Sequence, residues 1–203
     1  MTLETLEMGL RFDEAAHVYT YAGRAVPSVT QILNPLSARV YGEVPADVLA
    51  RAADRGTQVH KAIELYVQTG FKDIEAEYAG YLEGFERWWK QYSPKAILTE
   101  QKFVHPILGY AGTVDLVCNI GDRLVIVDYK TTSALNEMLV GIQLEAYKRG
   151  VSRVADIGGT AALHLRKDGT YSFLEMPEDK AQERWNVFLS LLTIENYARK
   201  FAA

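Results

Sequence analysis

The stretch that decides the fold is the run Leu124-Val125-Ile126-Val127 followed by Asp128-Tyr129-Lys130-Thr131-Thr132. Four aliphatic residues in a row indicate a strand that is buried on both faces. Because side chains alternate along a strand, Asp128 and Lys130 project to one side and Tyr129 to the other. An acid beside an ammonium group suits metal and phosphate chemistry, and a plain salt bridge at the strand end is the alternative.

The two strands that precede this run each carry one acid. The segment Gly112-Thr113-Val114-Asp115-Leu116-Val117 sets Asp115 among apolar neighbours, where an unpaired charge is costly. The short turn at Gly121-Asp122 predicts that Asp115 lies across the ladder from Asp128, and two such acids repel each other unless a cation lies between them. Glu100 adds an acid one strand earlier, with an exposed position on an edge strand as its alternative. A bound metal ion would offset the negative charge of all three acids.

A long amphipathic helix is predicted between Pro45 and Gly70, where apolar residues recur at helical spacing over more than five turns. His60 lies on the apolar stripe of this helix, either as a metal ligand or as a core histidine whose ring nitrogens are hydrogen-bonded. Gly56 lies on the same stripe, and its missing Cβ predicts a close approach by another backbone.

The remaining segments complete an α+β (α/β) pattern, which predicts a central mixed β-sheet flanked by helices. Before the long helix they are a hairpin over Leu10–Val26, with its turn at Ala22-Gly23, and a short helix from Pro27 to Leu33 that Asn34-Pro35 stops. After it comes a helix over Glu75–Tyr92, which buries one of Trp88 and Trp89. The later elements are strands over Ala96–Val104 and Tyr110–Ile120, a helix over Asn136–Arg149, strands over Ile157–Leu165 and Thr170–Leu174, and a closing helix over Glu178–Phe201. We expect one domain over residues 1–203: a hairpin and short helix in 1–45, a motif-bearing core over about 46–175, and a C-terminal helix in 176–203.

Composition narrows the class of protein. The 203 residues are 48% hydrophobic with a net charge of −4, which excludes disordered proteins and disfavours a protein that coats nucleic acid through bulk positive charge. The lone Cys118 excludes a disulfide framework and a four-cysteine zinc or iron–sulfur site. No signal-like start and no apolar run of membrane-spanning length occur in the sequence, so a cytoplasmic location is expected, with no membrane partner.

The motifs, taken in order, resemble the PD-(D/E)XK nuclease superfamily, and most closely its RecB-like and phage exonuclease-like branch. They are Gly56-Thr57-Gln58-Val59-His60, Glu100, Gly112-Thr113-Val114-Asp115, Asp128-Tyr129-Lys130-Thr131, and the pair Gln143 and Tyr147. The resemblance spans about Gly56 to Tyr147 and implies a restriction-endonuclease-like core. The opening Val26–Leu33 is also similar to the start of many phage-borne members.

The resemblance implies a role for each motif residue. Asp115 and Asp128 would bind one or two Mg²⁺ or Mn²⁺ ions, with His60, Glu100 and the carbonyl of Tyr129 as further ligands. Lys130 would position the attacking water and stabilise charge on the scissile phosphate. Gln143 and Tyr147 would face the site together from one helix. The iron–sulfur cluster of some relatives is not expected, because its four cysteines are missing.

The resemblance implies a metal-dependent DNA nuclease, exonuclease-like, that acts on single- or double-stranded DNA ends in recombination, repair or phage replication, in the cytoplasm of a bacterial or phage-infected cell. A recombination or annealing protein is a candidate partner. Arg51, Arg55, Lys61 and Lys148 are candidate phosphate contacts, with a solvated helix face as their alternative. The alternatives for the whole chain are a non-catalytic DNA- or protein-binding module on the same fold, and an endonuclease.

Overall fold

The computed structural model describes residues 8–14 and 16–201, which contain two β-sheets and the helices that pack on them. The elements in chain order are β1 (Leu10–Asp13), β2 (Val18–Tyr21), β3 (Arg24–Val26), α1 (Val29–Tyr41), α2 (Ala46–Thr69), α3 (Ala79–Tyr92), β4 (Lys95–His105), β5 (Tyr110–Ile120), β6 (Arg123–Lys130), α4 (Glu137–Val151), β7 (Gly159–Leu165), β8 (Tyr171–Glu175) and α5 (Ala181–Arg199). A short 3₁₀ turn over Glu178–Lys180 leads into α5.

The larger sheet has the strand order β4-β5-β6-β7-β8 and is mixed, as predicted. The pair β6–β7 is parallel, whereas the other neighbouring strands are antiparallel. Helix α4 makes the crossover that a parallel pair requires. Helices α2 and α3 cover one face of the sheet, and α1, α4 and α5 cover the other, so apolar side chains are buried on both faces. The expected mixed sheet flanked by helices is therefore confirmed.

The N-terminal segment forms a three-stranded sheet rather than the predicted single hairpin. The turn at Ala22-Gly23 is confirmed, with both residues at positive φ. A second turn follows β1, where the carboxylate of Asp13 accepts a hydrogen bond from the backbone N–H of Ala16 and so favours chain reversal. Tyr19 anchors this small sheet in a cluster with residues of β4 and β5.

Helix α1 continues to Tyr41, so the predicted stop at Asn34-Pro35 is wrong. Its start is well specified, because Ser28 and Gln31 form a reciprocal capping box. Pro35 lies inside the helix and costs one backbone hydrogen bond there. Leu36, one residue later, packs against the main core, and this burial holds the helix together beyond the proline.

Helix α2 occupies the predicted range and ends at Thr69, followed by Gly70 in the left-handed conformation. Helix α3 begins at Ala79 rather than at Glu75, and Trp88 is the fully buried member of its tryptophan pair. Within residues 8–14 and 16–201, no helix combines the length and apolar character needed to cross a membrane.

Two helical glycines have opposite surroundings. A Cβ on Gly80 would collide with the backbone carbonyl oxygen of Lys167, so α3 packs tightly against the β7–β8 turn at this point. A Cβ on Gly56 would meet nothing within 4 Å, so the predicted close approach of another backbone at Gly56 is wrong. The open space beside Gly56 belongs to the cleft described below.

This contrast gives a matched pair of substitutions. Gly80→Ala is expected to lower the free energy of unfolding by about 2 kcal/mol, because backbone must move to admit the methyl group. Gly56→Ala is expected to raise it by about 1 kcal/mol through helix propensity alone. Urea unfolding followed by circular dichroism measures both, and equal effects of the two variants would contradict the packing described for Gly80.

Candidate active site

One cleft of about 920 Å³ opens between α2, the β4–β6 part of the large sheet and the N-terminal sheet. It is lined by every metal-binding or catalytic residue predicted from the sequence, namely His60, Glu100, Asp115, Asp128, Tyr129, Lys130, Gln143 and Tyr147. The structure thus brings together residues that are up to 87 positions apart in the sequence, as the numbers of His60 and Tyr147 show.

The first group in the cleft consists of His60, Glu100 and Asp115. The Nδ1 atom of His60 lies 3.2 Å from Oε1 of Glu100 and 3.5 Å from Oδ1 of Asp115. One ligand atom from each of the three residues lies within 4.8 Å of the other two. Imidazole nitrogen and carboxylate oxygen suit divalent ions such as Mn²⁺ and Mg²⁺, so this donor set fits a metal.

The charges in this group also fit a cation. Burial raises the pKa of Asp115 to about 7, and the nearby Asp128 and Glu100 add to the rise while His60 opposes it. Burial alone would lower the pKa of His60, but Asp115 and Glu100 outweigh it and raise that pKa to about 9. A metal ion would relieve the repulsion among the acids and would compete with the proton on His60.

The second group connects Asp128, Lys130, Gln143 and Tyr147. Lys130 Nζ lies 2.6 Å from Asp128 Oδ2 and donates to Gln143 Oε1 at 3.1 Å. The amide of Gln143 donates to Asp128 Oδ1 and to the hydroxyl of Tyr147, each at 2.9 Å. Gln143 therefore orients both the acid and the ammonium group, and Tyr147 supports it from the next turn of α4.

Asp128 is buried and is paired with Lys130. Its Oδ2 atom is buried and accepts no well-directed hydrogen bond from the described residues, although the Lys130 ammonium lies close to it. The ion pair with Lys130 compensates the charge of this buried oxygen, so Asp128 and Lys130 depend on each other for burial.

Lys130 is held as an ammonium ion. Burial alone would lower its pKa, but the carboxylates of Asp128 and Asp115 outweigh burial and raise the pKa above the ordinary lysine value. A side chain that keeps its proton can stabilise negative charge on a phosphate but cannot accept a proton from water.

The two groups are linked through the backbone of β6. The N–H of Tyr129 donates to Asp115 Oδ2 at 2.6 Å. The β5–β6 ladder pairs Leu116 with Val127, and extending this register by one residue places Asp115 opposite Asp128, as the sequence predicts. The Tyr129 ring lies on the other face of the sheet, in edge contact with the His60 ring at a centroid distance of 5.5 Å.

Glu100 has an unusual backbone for a strand residue. Its φ is +47°, in the left-handed region that residues other than glycine rarely occupy. Glu100 lies between the paired residues Thr99 and Gln101 of β4, and in that register it faces Asp115. Its carboxylate reaches His60 from this position, so the strained backbone coincides with the candidate metal site.

Substitutions at Glu100 are expected to separate stability from function. The free energy of unfolding of Glu100→Gly should be about 1 kcal/mol higher than that of Glu100→Ala, because glycine adopts positive φ without steric cost. Both variants should bind Mn²⁺ more weakly than the wild type, because both lack the carboxylate. Urea unfolding and Mn²⁺ titration in parallel measure the two effects. Equal stability of the two variants would argue against strain at this position.

The four predicted phosphate contacts have different surroundings. Lys61 is exposed and lines the cleft. Arg55 approaches the loop after β6, where its Nε is 3.4 Å from a threonine hydroxyl. Arg51 forms an exposed ion pair one turn back on α2, and Lys148 pairs with Glu178 at 2.8 Å. Arg51, Arg55 and Lys148 are not among the residues that line the cleft.

Other residues of the cleft were not among the predicted site residues, and His17 was expected to be structural or exposed. Lys102 lies two positions after Glu100 on β4, and this spacing could have placed both on one face. Phe12, His17 and Tyr19 reach the cleft from the N-terminal sheet. The two-residue spacing of His17 and Tyr19 is visible in the sequence, but no local signal indicates that this sheet folds back beside the acids.

A mixed sheet that gathers acids, a histidine and a lysine in one cleft is typical of a metal-dependent nuclease. Residues 35–200 match the model of the PD-(D/E)XK nuclease superfamily. The chain therefore belongs to the PD-(D/E)XK nuclease superfamily, whose members use divalent metals, and the resemblance seen in the motifs is confirmed. No curated protein matches the chain significantly in sequence.

Several solved structures have a related shape at low sequence identity. An alkaline exonuclease from Laribacter hongkongensis, LHK-Exo, is 14% identical with a TM-score of 0.39, over 70% of this chain and 82% of that one. The same enzyme in complex with dAMP is 14% identical with a TM-score of 0.41, over 87% and 93%. A protein from Eubacterium rectale, provisionally named an exonuclease, is 10% identical with a TM-score of 0.48, over 70% and 68%. The family assignment rests on the sequence match.

Proposed function

We propose that this chain is a DNA exonuclease that hydrolyses phosphodiester bonds with Mg²⁺ or Mn²⁺. The observation that supports this most strongly is the meeting of two groups in one cleft: the His60–Glu100–Asp115 group, which fits a metal, and the Asp128–Lys130–Gln143 network, which fits a phosphate. Tyr129 contributes its backbone, with the N–H on Asp115 and the carbonyl as a candidate further ligand.

The chain's own residues have distinct roles in this proposal. His60, Glu100 and Asp115 would hold the metal, and Asp128 would share it on the side of Lys130. When bound, a divalent cation offsets the charge of the phosphate and lowers the pKa of a nearby water. Lys130 would place its ammonium group against the phosphate oxygens and stabilise the charge that develops during in-line attack. Gln143 and Tyr147 would hold the position of Lys130.

The chain carries a net charge of −4, so its contacts with DNA must come from a local set of cations. Lys61 and Lys102 line the same cleft as the acids and are the candidates for phosphate contacts. We also propose that residues 1–203 act as one nuclease domain, since the motif-bearing core and the N-terminal sheet both contribute to the cleft.

The test is digestion of DNA with defined ends. Linear single-stranded and duplex DNA, labelled at the 5′ or the 3′ end, is incubated beside closed circular DNA with Mg²⁺, Mn²⁺ or EDTA. We expect loss of the linear substrates alone, dependent on metal, with the released label reporting the polarity. Discrete cuts in closed circles would instead establish an endonuclease. Binding without cleavage in both metals would favour a non-catalytic DNA-binding module.

A further inference from the structure

The N-terminal sheet presents a set of aromatic side chains to the cleft: Phe12, His17 and Tyr19, called the aromatic wall below. The rings of Phe12 and Tyr19 have centroids 4.4 Å apart, and the His17 ring meets the Phe12 ring edge-on at 5.2 Å. Tyr19 is buried, Phe12 is partly buried and His17 is exposed. The wall therefore has a fixed inner end and an outer end that solvent and ligands can reach.

The aromatic wall is held in register with the candidate active site. The hydroxyl of Tyr19 forms a 2.7 Å hydrogen bond with the hydroxyl of Thr113. Thr113 lies two residues before Asp115 on β5, so one strand carries both the anchor of the wall and a candidate metal ligand. Tyr19 also packs with Val104 and Ala111, which fixes the small sheet against the large one. The distance from wall to acids is thus set by rigid elements.

A cation accompanies the aromatic wall. The ammonium group of Lys102 lies over the Phe12 ring, 5.6 Å from its centroid. Lys102 is on β4, two residues after Glu100, and it lines the same cleft. Aromatic rings beside a lysine form the combination that binds single strands, in which bases stack on the rings and the cation contacts the backbone. A base inside a duplex already stacks on both faces, so such a site takes an unpaired base.

We propose that Phe12 and His17, supported by Tyr19, form a stacking subsite for an unpaired nucleobase next to the scissile phosphate, and that the Lys102 ammonium moves from the Phe12 ring to the adjoining backbone when the base stacks. The ligand class is single-stranded DNA, including the frayed end of a duplex. This inference deepens the proposed function and rests on it, because it identifies the strand state that the nuclease engages.

The test measures stacking without cleavage. A short single-stranded DNA that carries 2-aminopurine is titrated with the full-length protein in EDTA, and fluorescence quenching reports stacking of that base. We expect quenching by the wild type and by Phe12→Tyr. Phe12→Ala and His17→Ala should each lose most of the quenching, and Phe12→Ala should bind on the order of 10-fold more weakly.

Two controls separate stacking from general damage. Phe71 is 72% exposed and outside the cleft, so Phe71→Ala should bind and quench like the wild type. Blunt duplex DNA should show a much smaller effect of Phe12→Ala than single-stranded DNA does. His17 is exposed, so His17→Ala tests the wall even if Phe12→Ala fails to fold.

The outcomes distinguish this inference from the proposed function. Quenching that is lost in Phe12→Ala and His17→Ala supports the subsite even if no substrate is cleaved, in which case only the exonuclease proposal fails. Metal-dependent cleavage by a wild type that does not quench overturns the subsite and leaves the nuclease standing. Equal weakening of single-stranded and blunt duplex binding in Phe12→Ala also overturns it.

Discussion

Lys130→Met is expected to reduce the rate of DNA cleavage on the order of 10³-fold, the size of effect seen when one charge-stabilising group is removed from an active site. The reason is geometric, because the Lys130 ammonium lies 2.6 Å from Asp128 and is oriented by Gln143. No other lysine in the described residues shares this network. The measurement is the initial rate of label release from linear DNA at saturating Mn²⁺.

The variant must be distinguished from one that simply misfolds. Removing Lys130 leaves Asp128 buried beside fewer positive groups, which destabilises the fold. Lys130→Gln, which keeps a hydrogen-bond donor, is therefore tested in parallel and should lose cleavage to a similar extent. Lys95→Met serves as the matched control, because Lys95 is exposed at the start of β4. Cleavage near the wild-type rate in a folded Lys130→Met protein would contradict the role proposed for Lys130.

Asp115→Asn is expected to abolish the stabilisation of the protein by Mn²⁺ as well as its cleavage activity. A ligand that binds the folded state at 100 times its Kd adds about 2.7 kcal/mol to the free energy of unfolding. The wild type should therefore melt at a higher temperature with Mn²⁺, and the variant should not. Differential scanning fluorimetry with and without Mn²⁺ measures the effect.

The same substitution should not harm the fold in EDTA. Asparagine is nearly isosteric and keeps an oxygen that can accept the Tyr129 N–H, and it removes a buried charge that lies near Glu100 and Asp128. Asp122→Asn, at the exposed turn between β5 and β6, is the matched control and should respond to Mn²⁺ like the wild type. An Mn²⁺ shift of wild-type size in Asp115→Asn would remove Asp115 from the proposed metal site.

Together these variants test the division of the cleft into two groups. Lys130→Met should keep the rise in melting temperature with Mn²⁺ and lose cleavage, whereas Asp115→Asn should lose both. If both variants lost the Mn²⁺ shift, the two groups would act as one coordination unit.

Local patterns in the sequence determined the strands and most of the helices. The aliphatic run before Asp128 predicts a buried strand, and the alternation of side chains predicts that Asp128 and Lys130 share a face. The short turn at Gly121-Asp122 predicts the register that sets Asp115 opposite Asp128, and the β5–β6 ladder follows that register as far as the pair Leu116 and Val127. Each of these predictions depends on neighbours within about 15 residues, whose geometry the backbone itself specifies.

Long-range packing decided the features that these local patterns do not predict. Helix α1 passes through Pro35 because Leu36 packs on the core, and Gly56 borders open space rather than another backbone. The sequence identified three acids and a histidine, but only the structure groups His60 with Glu100 and Asp115 and groups Asp128 with Lys130 and Gln143. The left-handed backbone of Glu100 has no sequence signal, because glutamate has no preference for it.

The N-terminal sheet is the clearest case of a position in the fold that local sequence patterns do not predict. Its strands and its turn at Ala22-Gly23 follow from alternation and turn chemistry, but its place as one wall of the cleft depends on the contact between Tyr19 and Thr113, 94 residues apart. Sequence periodicity specifies which face of an element is apolar. Which elements meet, and at what distance, follows from packing that maximises burial over the whole chain, and that is a property of the tertiary structure.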